Sequence, residues 1–107
     1  MLNFFKNLFG FDAPTPNFKD LVANDALIID VRSPQEFTGG NVAGSINIPL
    51  DRLAAHSPKL DKTRTVITCC ASGMRSGMAR TSLLNQGFAE VHNGGGWLSL
   101  NNKLGFE

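Results

Sequence analysis

The 107-residue chain is 42% hydrophobic and 18% charged, and ten Lys and Arg against nine Asp and Glu give a formal net charge of +1. That length supports one hydrophobic core and leaves no room for a second domain. The interspersed charges form neither a basic stripe for nucleic acid nor an acidic tail for a basic partner.

Residues 1 to 14 read as a Phe-rich segment followed by a linker, with a globular domain over residues 15 to 107. The opening "MLNFFKNLFGF" is broken by Asn3, Lys6, Asn7 and Gly10, so it lacks the continuous apolar region of a signal peptide and is too short to span a bilayer. Phe4, Phe5, Phe9, Phe11 and Leu8 are read as docking on the domain or staying disordered rather than anchoring a membrane. "FDAPTPN", with two prolines and no periodicity, is the linker.

"FKDLVAN" predicts a short helix, and "ALIIDV" at residues 26 to 31 is a continuous apolar run that suits a strand covered on both faces. Ser33-Pro34-Gln35-Glu36 then supplies an N-cap, a proline at the first helical position and a glutamate three residues after the cap. Gly39-Gly40 stops that helix. "AGSINIP" predicts a second short strand, "LDRLAAH" a helix between Pro49 and Pro58, and "TRTVITC" a third strand. A helix is expected from Ser76 to Gln86, closed by a left-handed Gly87 with Phe88 folding back on Leu83. "AEVHN" predicts a fourth strand and "WLSLNNK" a last helix. This alternation implies right-handed crossovers and an α/β fold, a mostly parallel sheet with helices on both faces.

In such sheets ligands bind beyond the carboxyl ends of the strands, which is where "CASGMR" falls. Amide groups of the loop and first helical turn lower the pKa of a thiol placed there and hold an anion, so Cys70 is the candidate nucleophile. Gly73 lets the backbone curl, and Arg75 closes the far side with a permanent charge. Two adjacent cysteines cannot staple distant segments, so the fold is expected to be independent of disulfides and to suit a reducing compartment, the cytoplasm. No metal or other cofactor is expected, because "CC" lacks ligand spacing and His56 and His92 are isolated.

"IIDVRSPQEFTGGNVAGSINIPL", then "CASGMRSGMARTSLLNQGF", then "VHNGGGW" resemble, in order and spacing, a single-domain rhodanese of the rhodanese-like sulfurtransferase superfamily. The resemblance runs from about residue 15 to about residue 97. It implies a three-layer fold with a sheet of four to five strands. It also implies that Cys70 carries a sulfane sulfur as a persulfide, taken from thiosulfate or a persulfide donor and passed to cyanide or a thiol. The amides of Ala71, Ser72, Gly73, Met74 and Arg75 would hold the persulfide and the donor's anionic end. The alternative is a sulfur carrier, or a non-catalytic rhodanese-like binding module, serving a dedicated protein partner. Phosphatase and arsenate-reductase relatives resemble the fold but use Cys-x5-Arg and an upstream His-Cys pair, whereas here Arg75 follows after four residues and Cys69 precedes Cys70.

Three positions depart from the family pattern: Asn41 where His is common, Ala71 where Arg is common, and Cys69 where an aromatic or aliphatic residue is usual. Cys69 reads as a small buried hydrophobe, with a redox partner for Cys70 as the other reading. Asp30, Arg32 and Glu36 read as a structural charge and capping network, since a carboxylate beside a thiolate opposes its ionisation. Arg75 has two readings, a wall of the anion cradle or a salt bridge to a helix neighbour. The three glycines before Trp97 read as sites of close backbone approach, and Trp97 as an aromatic cover for the sheet.

Overall fold

The apolar run after Ala26 forms β1 (Leu27–Asp30) and divides its side chains between two cores, Ile29 on one face and Ile28 on the other. The computed structural model describes residues 16–106. The Phe-rich segment and linker expected over residues 1 to 14 lie outside them. Within the described residues, α1 (Phe18–Ala23) precedes β1, and Asn17 caps it by accepting the Asp20 N–H. The further elements are α2 (Pro34–Thr38), β2 (Ile46–Asn47), and α3 (Leu53–His56) flanked by two turns of 3₁₀ helix. They continue with β3 (Val66–Cys70), α4 (Met74–Asn85), β4 (Val91–Gly96) and α5 (Trp97–Lys103).

The four strands form one parallel sheet in the order β2-β1-β3-β4, as the strand–helix alternation implies. Ile29, Val31, Val66, Cys70 and Val91 face α3 and α4 through Leu53, Ala79, Leu83 and Phe88. Ile28, Ile67 and Cys69 face α1 and α5 through Phe18, Leu100 and Leu104. Burying each large aliphatic side chain in these layers contributes about 1.5–3 kcal/mol.

A predicted start signal and a predicted stop signal act as expected, one at each of two helices. Ser33 and Glu36 make the reciprocal capping box at α2, with Ser33 N–H donating to Glu36 Oε1 at 3.0 Å. At the end of α4, Gly87 takes φ +96°, and the Gly87 and Phe88 amides donate to the Leu84 and Leu83 carbonyls.

Besides later strand starts at Val66 and Val91 and a 3₁₀ first turn in the expected Leu50–His56 helix, three boundaries differ from expectation in ways that shape the sheet and the site. Only Ile46 and Asn47 of "AGSINIP" pair, leaving β2 a two-residue edge. Helix α4 begins at Met74, two residues early, because Gly73 adopts φ +103° and turns the chain into the helix at once. Strand β4 runs through the glycines rather than ending before them: a Cβ on Gly94 would lie 2.9 Å from both Ile67 Cγ2 and the Thr68 carbonyl oxygen. Its register also shifts, Thr68 pairing with Asn93 but Cys70 with Gly96, a bulge that re-aims the end of the strand toward the end of β3.

Candidate active site

Strand β3 ends on Cys70, fully buried, and the chain turns through residues 71 to 73 into α4. The first N–H groups of a helix have no intrahelical partner, and the early start of α4 turns them toward the sulfur. Gly73 N–H donates to Cys70 Sγ at 3.0 Å, and the Ser76 hydroxyl lies 3.3 Å from it. Burial pushes the thiol up, but the Ser76 hydroxyl and backbone amide, with the Gly73 and Ser72 amides, outweigh it and bring Cys70 below the ordinary thiol value. A thiol so placed, at the carboxyl end of a parallel sheet, is shifted toward the thiolate, which is the nucleophilic form of cysteine.

Cys69 points to the opposite face and stays a thiol. Burial, with the Asp30 charge added, pushes it up to about 12. Both cysteines are free.

Of the five residues expected to form the cradle, Ser72 and Gly73 supply amides to the sulfur, while Ala71 and Ser72, next to it in the chain, form an exposed rim. The Met74 side chain is 78% exposed. Arg75 is engaged elsewhere: its guanidinium grips Glu36 of α2 with both terminal nitrogens, at 2.7 and 3.0 Å. That pair holds the Glu36 carboxyl down at about 2 and raises Arg75. The salt-bridge reading of Arg75 therefore describes this structure, and Glu36 belongs to it as well as to the capping box. A groove of about 830 Å³ opens beside Arg75, lined in part by Val31, Pro34, Asn47, Leu50, Asp51 and Arg52.

Asp30 and Arg32 form a separate buried pair. Arg32 donates through Nε and one terminal nitrogen to the Asp30 carboxylate at 2.7–3.0 Å, and to the carbonyls of Glu36 and Gly40. Its guanidinium lies over the Trp97 ring, 4.8 Å from the centroid. Asn47 donates to the carbonyls of Asp30 and Arg32, tying the edge strand to β1. Asn41, in the position where the family pattern often has His, donates to the Phe37 carbonyl at 2.9 Å and finishes α2. Among the described residues, no three His, Cys, Asp or Glu side chains gather to hold a metal ion.

Sequence reasoning missed Ser76 and Asn93. Ser76 is wholly buried and its hydroxyl donates to Asn93 Oδ1 at 2.7 Å, while Asn93 Nδ2 donates to the Gly73 carbonyl at 3.1 Å. Both residues lie within the quoted motifs, but a hydroxyl and an amide carry no spacing rule that marks them; they meet where β4, in register with β3 at Thr68 and Asn93, runs beside the start of α4.

A three-layer α/β protein with an activated thiol at the end of a central parallel strand is the class that fold and site define. A model of the rhodanese-like domain matches residues 16–103, and the chain belongs to that family. Over 72 residues it is 42% identical to thiosulfate sulfurtransferase PspE of Escherichia coli, covering 64% of this chain and 67% of the relative. Over 68 residues it is 38% identical to the uncharacterized protein YqhL of Bacillus subtilis, covering 64% and 54%. The chain thus spans about half to two thirds of the length of these relatives. Among solved structures, it is similar to a rhodanese-related protein of Thermoplasma volcanium, with a TM-score of 0.70, 31% identity and coverage of 89% of this chain and 96% of that one. An E. coli rhodanese with anions gives a TM-score of 0.61 at 38% identity, covering 69% and 89%.

Proposed function

We propose that this protein is a sulfurtransferase that moves a sulfane sulfur from thiosulfate or a persulfide donor to cyanide or a thiol, through a persulfide on Cys70. The observation that carries the reading is the Cys70 sulfur itself, ending a central strand, receiving the Gly73 amide at 3.0 Å and held below its ordinary pKa. Family membership and the likeness to a thiosulfate sulfurtransferase support it.

In the first displacement the Cys70 thiolate attacks the outer sulfur of thiosulfate. A new S–S bond forms as the donor's S–S bond breaks, and sulfite leaves with the electron pair. In the second, cyanide or a thiolate attacks the outer sulfur and Cys70 leaves as thiolate, so the two half-reactions predict ping-pong kinetics. Cys70 is wholly buried, so loading requires the exposed rim at Ala71 and Ser72 to move aside. The donor enters from that rim or from the groove beside Arg75. Both cysteines being free thiols suits a reducing compartment.

Intact mass after incubation with thiosulfate tests the reading. One added sulfur on the peptide containing Cys70, discharged by cyanide as thiocyanate, is expected. No loading from either donor class overturns the reading, and loading without discharge to small acceptors replaces it with a carrier serving a protein partner.

A further inference from the structure

The Ser76 hydroxyl has one proton and two neighbours that can receive it. Cys70 Sγ lies 3.3 Å from Ser76 Oγ, and Asn93 Oδ1 lies 2.7 Å from it. The rest of the arrangement is pinned. Thr68 Oγ1 donates to the Ser76 carbonyl at 2.8 Å, which fixes the Ser76 backbone. Asn93 Nδ2 donates to the Gly73 carbonyl and its Oδ1 accepts the Gly95 N–H at 2.9 Å, which fixes which way round the amide lies. Only the Ser76 O–H is free to turn.

We propose that Asn93 is a positioning residue for sulfur transfer that acts through Ser76, whose hydroxyl turns between Asn93 Oδ1 and Cys70 Sγ as the charge on that sulfur changes. The inference rests on the Cys70 persulfide chemistry proposed above. In the resting thiol, Cys70 S–H donates to Ser76 Oγ and Ser76 O–H donates to Asn93. When the thiol gives its proton to solvent, the Ser76 hydroxyl turns, keeping its own proton, and donates to the thiolate. Asn93 Oδ1, on an exposed side chain, then retains the Gly95 N–H and is open to solvent, so turning the hydroxyl away leaves no acceptor unsatisfied. Once Cys70 carries the persulfide, the charge lies on the outer sulfur and the hydroxyl returns to Asn93. The same Asn93 amide, holding the Gly73 carbonyl, keeps the Gly73 N–H aimed at the sulfur throughout.

The other charged and titratable groups around Cys70 are accounted for. Arg75 of α4 is paired with Glu36 of α2, and Asp30 and Arg32 at the end of β1 are paired with each other. Cys69 beside it on β3 stays a thiol, and His92 of β4 is paired with Glu90.

The test is the pH dependence of Cys70 alkylation by iodoacetamide, read by peptide mass, which needs no sulfur donor and so stands or falls apart from the sulfur-transfer reading. Ser76→Ala is expected to raise the midpoint and Ser76→Thr, which keeps the hydroxyl, to restore it. Asn93→Ala removes the competing acceptor and is expected to lower the midpoint by about 0.5–1 unit, about three- to tenfold in thiolate below it. The part of that shift carried by the hydroxyl should vanish in the Ser76→Ala background, leaving only what Asn93 contributes through the Gly73 carbonyl. Asn93→Asp, a stronger acceptor of the same shape, should raise the midpoint, and more so with Ser76 present than without. An Asn93→Ala shift of equal size in both backgrounds, or no shift in either, overturns the proposal; a purely structural clamp gives the first result.

Discussion

Cys69 and Cys70 share a peptide bond but lie on opposite faces of β3, one against α1 and α5, the other against α3 and α4. The pleat gives the two thiols opposite shifts: burial and the Asp30 charge push Cys69 up, while hydrogen-bond donors bring Cys70 down. Cys70→Ser is therefore expected to abolish sulfur transfer and Cys69→Ser to keep most of it, measured as thiocyanate formation by folded, purified variants. Equal losses would mean that both thiols act. The same scale decides Glu36. Its carboxyl, near 4.5 in an unfolded chain, is held at about 2 first by the Arg75 guanidinium and then by the Ser33 amide. A depressed carboxyl stabilises the fold above its unfolded value and loses that contribution as protons bind. The pair's contribution is thus full above about pH 5 and fades as the pH falls from 4.5 through 2. Glu36→Gln keeps the oxygen that accepts the Ser33 N–H, and removes the charge together with the second oxygen that accepts from Arg75. The variant should melt below the native protein at pH 7, with the gap closing toward pH 2; a gap that is the same across that range would show that the charge contributes nothing.

At the scale of elements, the bulge in β4 builds the cradle from outside. It brings Gly96 opposite Cys70, so close that a Cβ there would lie 2.8 Å from the Ala71 carbonyl oxygen. The Gly96 backbone, at φ −67° and ψ 139°, is one any residue adopts, so Gly96→Ala tests that contact free of backbone strain. We expect a stability loss of about 1–3 kcal/mol, as for other overpacked positions, and a fall in sulfur transfer of about tenfold or more as the 71 to 73 rim is displaced. Full activity at unchanged stability would show that the rim gives way without consequence. This interface also marks where sequence reading stops. The β1 run, the Ser33 cap, the Gly87 stop and Cys70 at its junction are legible because local chemistry dictates them. The passage of β4 through three glycines is not, since glycine reads as a strand breaker until a neighbouring backbone requires the missing Cβ. Nor is the seizure of Arg75 by Glu36, 39 residues away, which depends on α2 and α4 lying side by side.

At the scale of the whole molecule, the parallel sheet was readable because continuous apolar strands demand cover on both faces. The described residues supply that cover themselves. One layer is built from Leu53, Ala79, Leu83 and Phe88, the other from Phe18, Val42, Leu100 and Leu104. The buried Asp30–Arg32 pair then locks the end of β1 to α2 and, through the Arg32 guanidinium, to Trp97 at the start of α5. The site is assembled from β3, α4 and β4, with α2 reaching it through Glu36, all within residues 33 to 96. We therefore propose that residues 1 to 14 form a segment separate from a domain starting at residue 15, and that this segment takes no part in the reaction. A chain lacking residues 1 to 12 is expected to remain folded, with thiosulfate turnover to thiocyanate within about twofold of the full chain, since residues 16 to 106 already cover both faces of the sheet and assemble the candidate site. Solubility, self-association or partner binding is where any effect should appear. A truncated protein that is monodisperse and melts cooperatively, yet loads no sulfur from thiosulfate, would place those first residues in the active site and move the domain boundary to the start of the chain.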